Sequence, residues 1–246
     1  MKIEWIGTGS GLNPKLGNTS FMVSGTEKRN LLVDVGYTVP FKLMESDRLK
    51  DVSDIVITHT HADHIGGIEA VAFMNYFCYK LRGKYRINLY LASNEFAHNL
   101  WEHSLSGGLG KLQSENNKPF NATLDDYFEV KIGKEIEIPG IPKLFLFPTL
   151  HVLGMENYGL RFDNGVFYSG DSVELPSYDS RIIFQDCQFF ETNSDVHMPY
   201  DKLKRELPKE VKEKTYLVHL GNGWDKKDVK KDGFAGFVMP GQIFEF

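Results

Sequence analysis

Residues 57–67 read I-T-H-T-H-A-D-H-I-G-G and place His59, His61, Asp63 and His64 within one short stretch after an apolar run. Imidazole and carboxylate suit a borderline divalent metal such as zinc. On a strand-like segment, residues two apart project from the same side, so His59 and His61 can share one ion. Asp63 and His64 follow at a turn, and Gly66-Gly67 lets the backbone bend sharply before a helix. A single histidine in such a turn would read as polar surface. The chain has eight histidines and three of them stand here, which argues for a metal site.

Further ligands stand at the ends of later apolar runs. L-F-L-F-P-T-L-H ends in His151, V-F-Y-S-G-D ends in Asp171, and T-Y-L-V-H-L-G carries His219. Each closes a β-type run and is followed closely by glycine, as loops gathered on one sheet edge would be. Two metals about 3.5–4 Å apart lower the pKa of a shared water and clamp a phosphoryl group. Asp63 is also placed to orient that water or to accept its proton.

H-T-H-A-D-H, the later lone histidine, Y-S-G-D and V-H-L-G together resemble the metallo-β-lactamase superfamily over nearly the whole chain. The resemblance implies an α/β fold, an αββα four-layer sandwich, with a dinuclear site at one edge. It implies His59, His61 and His151 on one metal, Asp63, His64 and His219 on the other, and Asp171 bridging. It does not name the metal. Zinc is the default for this ligand set, and manganese or iron can occupy it.

W-I-G-T-G-S-G-L-N-P-K-L-G-N-T-S and L-L-V-D-V-G, with Asp34 and Gly36, resemble the ribonuclease Z branch. As a dinucleotide fingerprint, G-T-G-S-G fails, because its third glycine would fall on Leu12. Asn18, Thr19 and Ser20 are expected in structural turns at the site edge. The branch also implies a histidine near the attacked phosphate, here His197, to stabilise charge or protonate the leaving oxygen. Glu191 or Asp195 would orient it. The spacing from Glu191 to His197 is short for the tRNA enzymes, and their H-S-T is absent.

The whole pattern is similar to the phage-type anti-Pycsar phosphodiesterases. That similarity implies hydrolysis of 3′,5′-cyclic mononucleotides such as cyclic CMP and cyclic UMP, and a homodimer. A tRNA 3′-end endonuclease, or a lactonase or thioesterase, are the other chemistries on this scaffold. The net charge of −5 and the absence of a long basic arm argue against a long nucleic acid and for a smaller phosphodiester.

These side chains need elements to hold them. Alternation and β-rich runs predict strands at 2–6, 20–24, 30–35, 54–58, 87–92, 127–131, 143–148, 158–162, 166–169, 189–192 and 216–219. Helical spacing predicts helices at 38–50, 65–80, 95–103 and 201–214. The Gly-, Ser- and Asn-rich stretch 104–122 reads as a long loop, a lid or a contact to a partner subunit, its glycines favouring mobility. His98 and His103, five apart, share a helix face poorly and read as surface or packing residues. Phe96 and Trp101 read as core or dimer interface, and the apolar C-terminus as packed back on the fold.

A chain of 246 residues with no linker reads as one domain, 1–246. Its two cysteines, Cys78 and Cys187, form no C-x-x-C and fit a reducing compartment. No signal peptide or membrane-length apolar run is legible, so a cytoplasmic protein is expected, in the host cytoplasm if phage-encoded.

Overall fold

The structure is a computed structural model that describes residues 1–79, 86–113, 116–189 and 196–246, with the side chain of Tyr79 excepted. Two mixed seven-stranded sheets dominate. The first runs, in spatial order, Ile243–Glu245, Lys2–Gly7, Ser20–Ser24, Asn30–Val33, Asp54–Val56, Asn88–Leu91 and Glu129–Ile132. The second runs Gly236–Phe237, Thr215–Val218, Ile182–Asp186, Val166–Tyr168, Tyr158–Phe162, Ile141–Pro148 and Glu135–Ile138.

Alternating side chains give each sheet an inner and an outer face. The inner faces meet through Trp5 and Phe21 of the first sheet and Tyr168 and Phe184 of the second. Trp5 lies 4.6 Å from Phe21 and 5.0 Å from Phe184, ring centre to ring centre. The outer face of the first sheet is covered by the helices Val39–Glu45, Ile68–Met74 and Asn94–Leu100. The outer face of the second carries Tyr200–Glu206 and Lys209–Lys212. The layers are therefore helix, sheet, sheet, helix, the αββα sandwich expected. The apolar C-terminus packs back as anticipated, supplying one edge strand to each sheet.

Several expectations give way. The stretch 104–122 is not a structureless loop. It holds a helical turn, Ser106–Leu109, and a small hairpin, Lys111–Gln113 with Pro119–Asn121. Leu105, Leu109, Leu112 and Ala122 anchor it in the core. Gly108 reflects close packing, since a Cβ there would lie 2.2 Å from the Glu69 carboxylate. The strand placed at 189–192 lies earlier, at Ile182–Asp186, where an apolar run ends in a carboxylate. Phe189 is outside any strand, and 190–192 lie outside the described residues. The helix foreseen at 201–214 divides at Leu207-Pro208, because proline has no amide to continue the ladder. The helix foreseen at 65–80 divides into Ala62–Ile65, Ile68–Met74 and a π turn, Asn75–Tyr79. A second π turn, Trp101–Leu105, continues Asn94–Leu100.

Strands 54–56 and 88–91 run parallel to 30–33, and strands 166–168, 182–186 and 215–218 run parallel to one another. Their carboxyl ends therefore gather along one edge of the sandwich. His59, Asp171, Asp186 and His219 stand at or just beyond such ends.

Candidate metal centre

All seven side chains expected as ligands converge at that edge. Nε2 of His59 and Nε2 of His151 each lie 3.1 Å from Nδ1 of His61. Oδ2 of Asp171 is 3.8 Å from Nε2 of His59 and 3.9 Å from Nε2 of His151. On the other side, Oδ2 of Asp171 lies 3.4 Å from Nε2 of His64 and 3.3 Å from Nε2 of His219. Oδ2 of Asp63 lies 3.2 Å from Nε2 of His219 and 3.7 Å from Nε2 of His64. Two donor groups result, His59/His61/His151 and Asp63/His64/His219, with Asp171 in both, and Asp171, Asp186, His197 and His219 converge as a third group among the described residues.

The local backbone serves this convergence. His61 ends the extended segment and precedes the short helix Ala62–Ile65, which turns Asp63 and His64 inward. The D-V-G turn clasps it: Val35 N donates to His64 O at 2.7 Å, and Gly67 N donates to Val35 O at 2.8 Å. Gly36 must be glycine, since a Cβ there would sit 1.9 Å from the carbonyl oxygen of Asp63. Asp34 and His219 both adopt the left-handed conformation, φ 59° and 56°. Such backbone costs on the order of 1–3 kcal/mol per residue and persists where the surroundings impose it. Asn18 and Thr19 lie beside the site edge just ahead of the strand Ser20–Ser24, which Ser20 opens instead of standing in the turn expected of it. Thr38 N donates to Asn18 Oδ1, Thr19 Oγ1 to Gly9 O and Ser20 Oγ to Asp34 O.

The two groups differ in charge state. Burial pulls His59 well below the ordinary imidazole value, and the neighbouring His64 adds to that. His61 and His151 are likewise lowered, chiefly by burial. Three neutral imidazoles thus aim lone pairs at one small volume. At His64 burial also opposes charge, but the carboxylates of Asp171 and Asp34 outweigh it and the pKa rises well above normal. At His219 burial is outweighed by Asp171, Asp186 and Asp63, and the value rises to about 10. Burial would raise Asp63, yet the hydrogen bond from His219 and the charge of His64 hold it below the usual carboxylate range.

The donor set fits a divalent cation in each group. Among the described residues, Nε2 of His64 and both carboxylate oxygens of Asp171 are buried without a hydrogen-bond partner. Buried polar atoms left unpaired are costly, and a cation would satisfy all three at once. The protons held on His64 and His219 stand where such a cation would compensate the same carboxylates.

His197 joins the cluster. Its ring lies 4.8 Å from that of His151 and is stacked at 4.9 Å on that of His219. It is 22% exposed where the neighbouring His151 and His219 are 1% and 2%. Its Nδ1 bonds Asp186 Oδ2 at 2.9 Å. Burial is outweighed there by Asp186, and the His197 pKa is raised. Glu191 and Asp195, foreseen as its orienting partners, lie outside the described residues.

Three supporting residues escaped the sequence reading in these roles. Asp34 accepts from Thr58 N and Thr58 Oγ1, each at 2.8 Å, and pairs with His64 Nδ1 at 2.8 Å. Asp186, besides His197, accepts from Ser172 N at 3.1 Å. Gln188 donates to the carbonyl of His219 at 2.7 Å. The signal for Asp186 was present, since I-I-F-Q-D ends an apolar run in a carboxylate as V-F-Y-S-G-D does.

Comparison with known proteins gives this cluster a lineage. Residues 1–244 match the family described as anti-Pycsar protein Apyc1. The chain belongs to the anti-Pycsar Apyc1 family. Among its relatives, the Apyc1 of Bacillus phage BSP38 is 34% identical, with 99% of this chain and 97% of that protein aligned. The Apyc1 of Paenibacillus harenae is 32% identical across all of both chains. The crystal structure of the metallo-β-lactamase fold protein YhfI from Bacillus subtilis superposes with a TM-score of 0.73 at 17% identity, covering 99% of each chain. A diphosphatase of the PhnP family superposes with a TM-score of 0.74 at 20% identity, covering 100% of this chain and 97% of that one. The solved structures bear out the metallo-β-lactamase fold. Among the described residues, no helix is long and apolar enough to cross a membrane.

Proposed function

We propose that the chain is a metal-dependent phosphodiesterase that opens 3′,5′-cyclic mononucleotides, such as cyclic CMP and cyclic UMP, to nucleoside monophosphates. It would thereby counter bacterial antiphage signalling, in the host cytoplasm where phage-encoded. The observation that carries this reading is the pair of donor groups sharing Asp171, with His197 lying against both. Membership of a family named for opposing Pycsar supports the substrate class.

Two divalent cations, zinc by ligand type, would be held by His59, His61, His151 and Asp171 and by Asp63, His64, His219 and Asp171. When bound they supply Lewis acidity, a water acidic enough to attack near neutral pH, and charge to hold the phosphoryl oxygens. The chain's own residues do the rest. Asp63, ionised at neutral pH, orients the attacking water and takes its proton. As water oxygen bonds to phosphorus, one ring P–O bond breaks and the leaving ribose oxygen needs a proton. His197 supplies it. The Asp186 carboxylate on Nδ1 fixes the imidazole and leaves Nε2 to face the substrate. Asp171 and Asp34 hold His64 in register, and Gln188 holds the loop that carries His219.

The molecule acts as a single domain and a homodimer in this reading, with 104–122 as lid or subunit contact. The test is direct. Purified, zinc-loaded protein is incubated with 3′,5′-cyclic CMP, UMP, AMP and GMP, with pre-tRNA, and with a lactone. Turnover of cyclic nucleotides to monophosphates is expected. Cleavage of pre-tRNA with every cyclic nucleotide left intact would overturn the substrate assignment.

A further inference from the structure

Outside the cage one histidine pair has no part in the proposed chemistry. His98 lies in the helix Asn94–Leu100 and His103 in the π turn Trp101–Leu105 that continues it. In an uninterrupted α-helix, roughly 100° per residue leaves positions five apart on different faces. A π turn closes from residue i to i+5 and sets such positions nearly above one another. The two imidazoles accordingly meet edge to face, ring centres 6.1 Å apart at 82°.

The helix that leads into this turn is fixed at its start and along its buried face. Ser93 caps the helix by accepting from Phe96 N at 2.9 Å. Phe96, Leu100 and Leu105 are buried in the core on the opposite face. A rigid stem thus presents two imidazoles to solvent side by side, and the entropic cost of gathering them is already met. Of the eight histidines, only His98 and His103 are exposed, while His61 and His197 are half-buried and His59, His64, His151 and His219 are buried.

We propose that His98 and His103 form a second metal site, separate from the cage, that takes one late first-row divalent ion. The two imidazoles supply two nitrogen ligands and water completes the shell. Nitrogen ligands of this kind favour copper over nickel and zinc. The site is open to exchange with solution, whereas the cage is enclosed.

The experiment uses untagged protein, first loaded with zinc to fill the cage, on a resin bearing chelated Ni2+. Wild-type protein is expected to be retained and to elute with imidazole, whereas His98→Ala and His103→Ala are each expected to flow through. Flow-through of the wild type, or retention of either variant equal to wild type, overturns the proposal. Calorimetric titration of Cu2+ into the zinc-loaded protein supplies an independent readout. One additional equivalent is expected in the wild type and none in the double variant. An additional equivalent that persists in the double variant also overturns it. Both side chains are exposed, so neither substitution should alter the melting temperature of the protein.

Discussion

The two halves of the cage are built on different electrostatics. His59, His61 and His151 are lowered imidazoles whose ring nitrogens meet at 3.1 Å. His64 and His219 are raised imidazoles, each backed by a buried carboxylate, Asp34 behind one and Asp186 behind the other. The first half is poised chiefly by burial, with neighbouring imidazoles adding to it. The second is poised by charge, its ionised carboxylates raising the imidazoles of His64 and His219. An orienting carboxylate raises ligand basicity and fixes the ring, so the second half depends on residues that touch no substrate.

The largest effect should come from breaking the halves at their proposed ligands. Asp63→Ala and His64→Ala should each abolish phosphodiesterase turnover with the fold intact by circular dichroism. Several kcal/mol of transition-state stabilisation corresponds to a loss of about 10³-fold or more. An active Asp63→Ala enzyme would remove the two-cation mechanism from consideration.

His197→Ala separates chemistry from metal binding. A lost proton donor lowers kcat by roughly 10²- to 10⁴-fold. Metal content after dialysis should stay at the wild-type level, because neither proposed cation takes His197 as a ligand. A parallel loss of metal would instead make His197 a ligand.

Asp34→Asn sharpens the contrast between halves. It keeps the shape and removes the charge behind His64, so affinity for one cation should fall about 10- to 100-fold while the other is unchanged. Metal analysis across a chelator series measures this. Equal weakening of both cations would show that the halves are not independent.

The smallest effect is on the metal-stripped protein, whose halves should titrate in opposite senses. His219 has its folded value raised to about 10. Its contribution is complete below an unfolded value of about 6.5 and is lost as pH rises through about 10. His59, His61 and His151 are lowered in the folded state. Their neutral forms contribute fully above about pH 6.5, and that contribution is lost as pH falls below it. Denaturant melts should therefore show a stability maximum near or above neutrality, with zinc flattening the alkaline side. A monotonic rise in stability from pH 7 to 10 would contradict the raised value at His219.

Much of this cage is legible in the sequence alone. Ligand types and the spacing of H-x-H-x-D-H are local facts, and each later ligand followed an apolar run that had to be a strand. The supporting residues were harder. Asp186 was overlooked because the strand that carries it was placed some seven residues too late, at 189–192 instead of Ile182–Asp186. Asp34 was noticed only as part of a motif, since nothing local says that it reaches His64 thirty residues on. The stretch 104–122 misled by its composition. Its glycines and asparagines resemble a loop, but Gly108 makes room for Glu69 and the leucines between them are core.

The sequence by itself determined which side chains could bind a metal and that they would be delivered by strand ends, because both follow from residue chemistry and local periodicity. Tertiary structure alone decided how those ends meet. Parallel strands in both sheets bring residues 90 and 156 positions apart within about 3 Å, as in His61 with His151 and Asp63 with His219. It also set the charge state of each imidazole, because pKa depends on burial and on which carboxylate stands behind the ring. The same dependence on geometry governs His98 and His103, five apart in sequence, whose rings meet where the helix passes into a π turn.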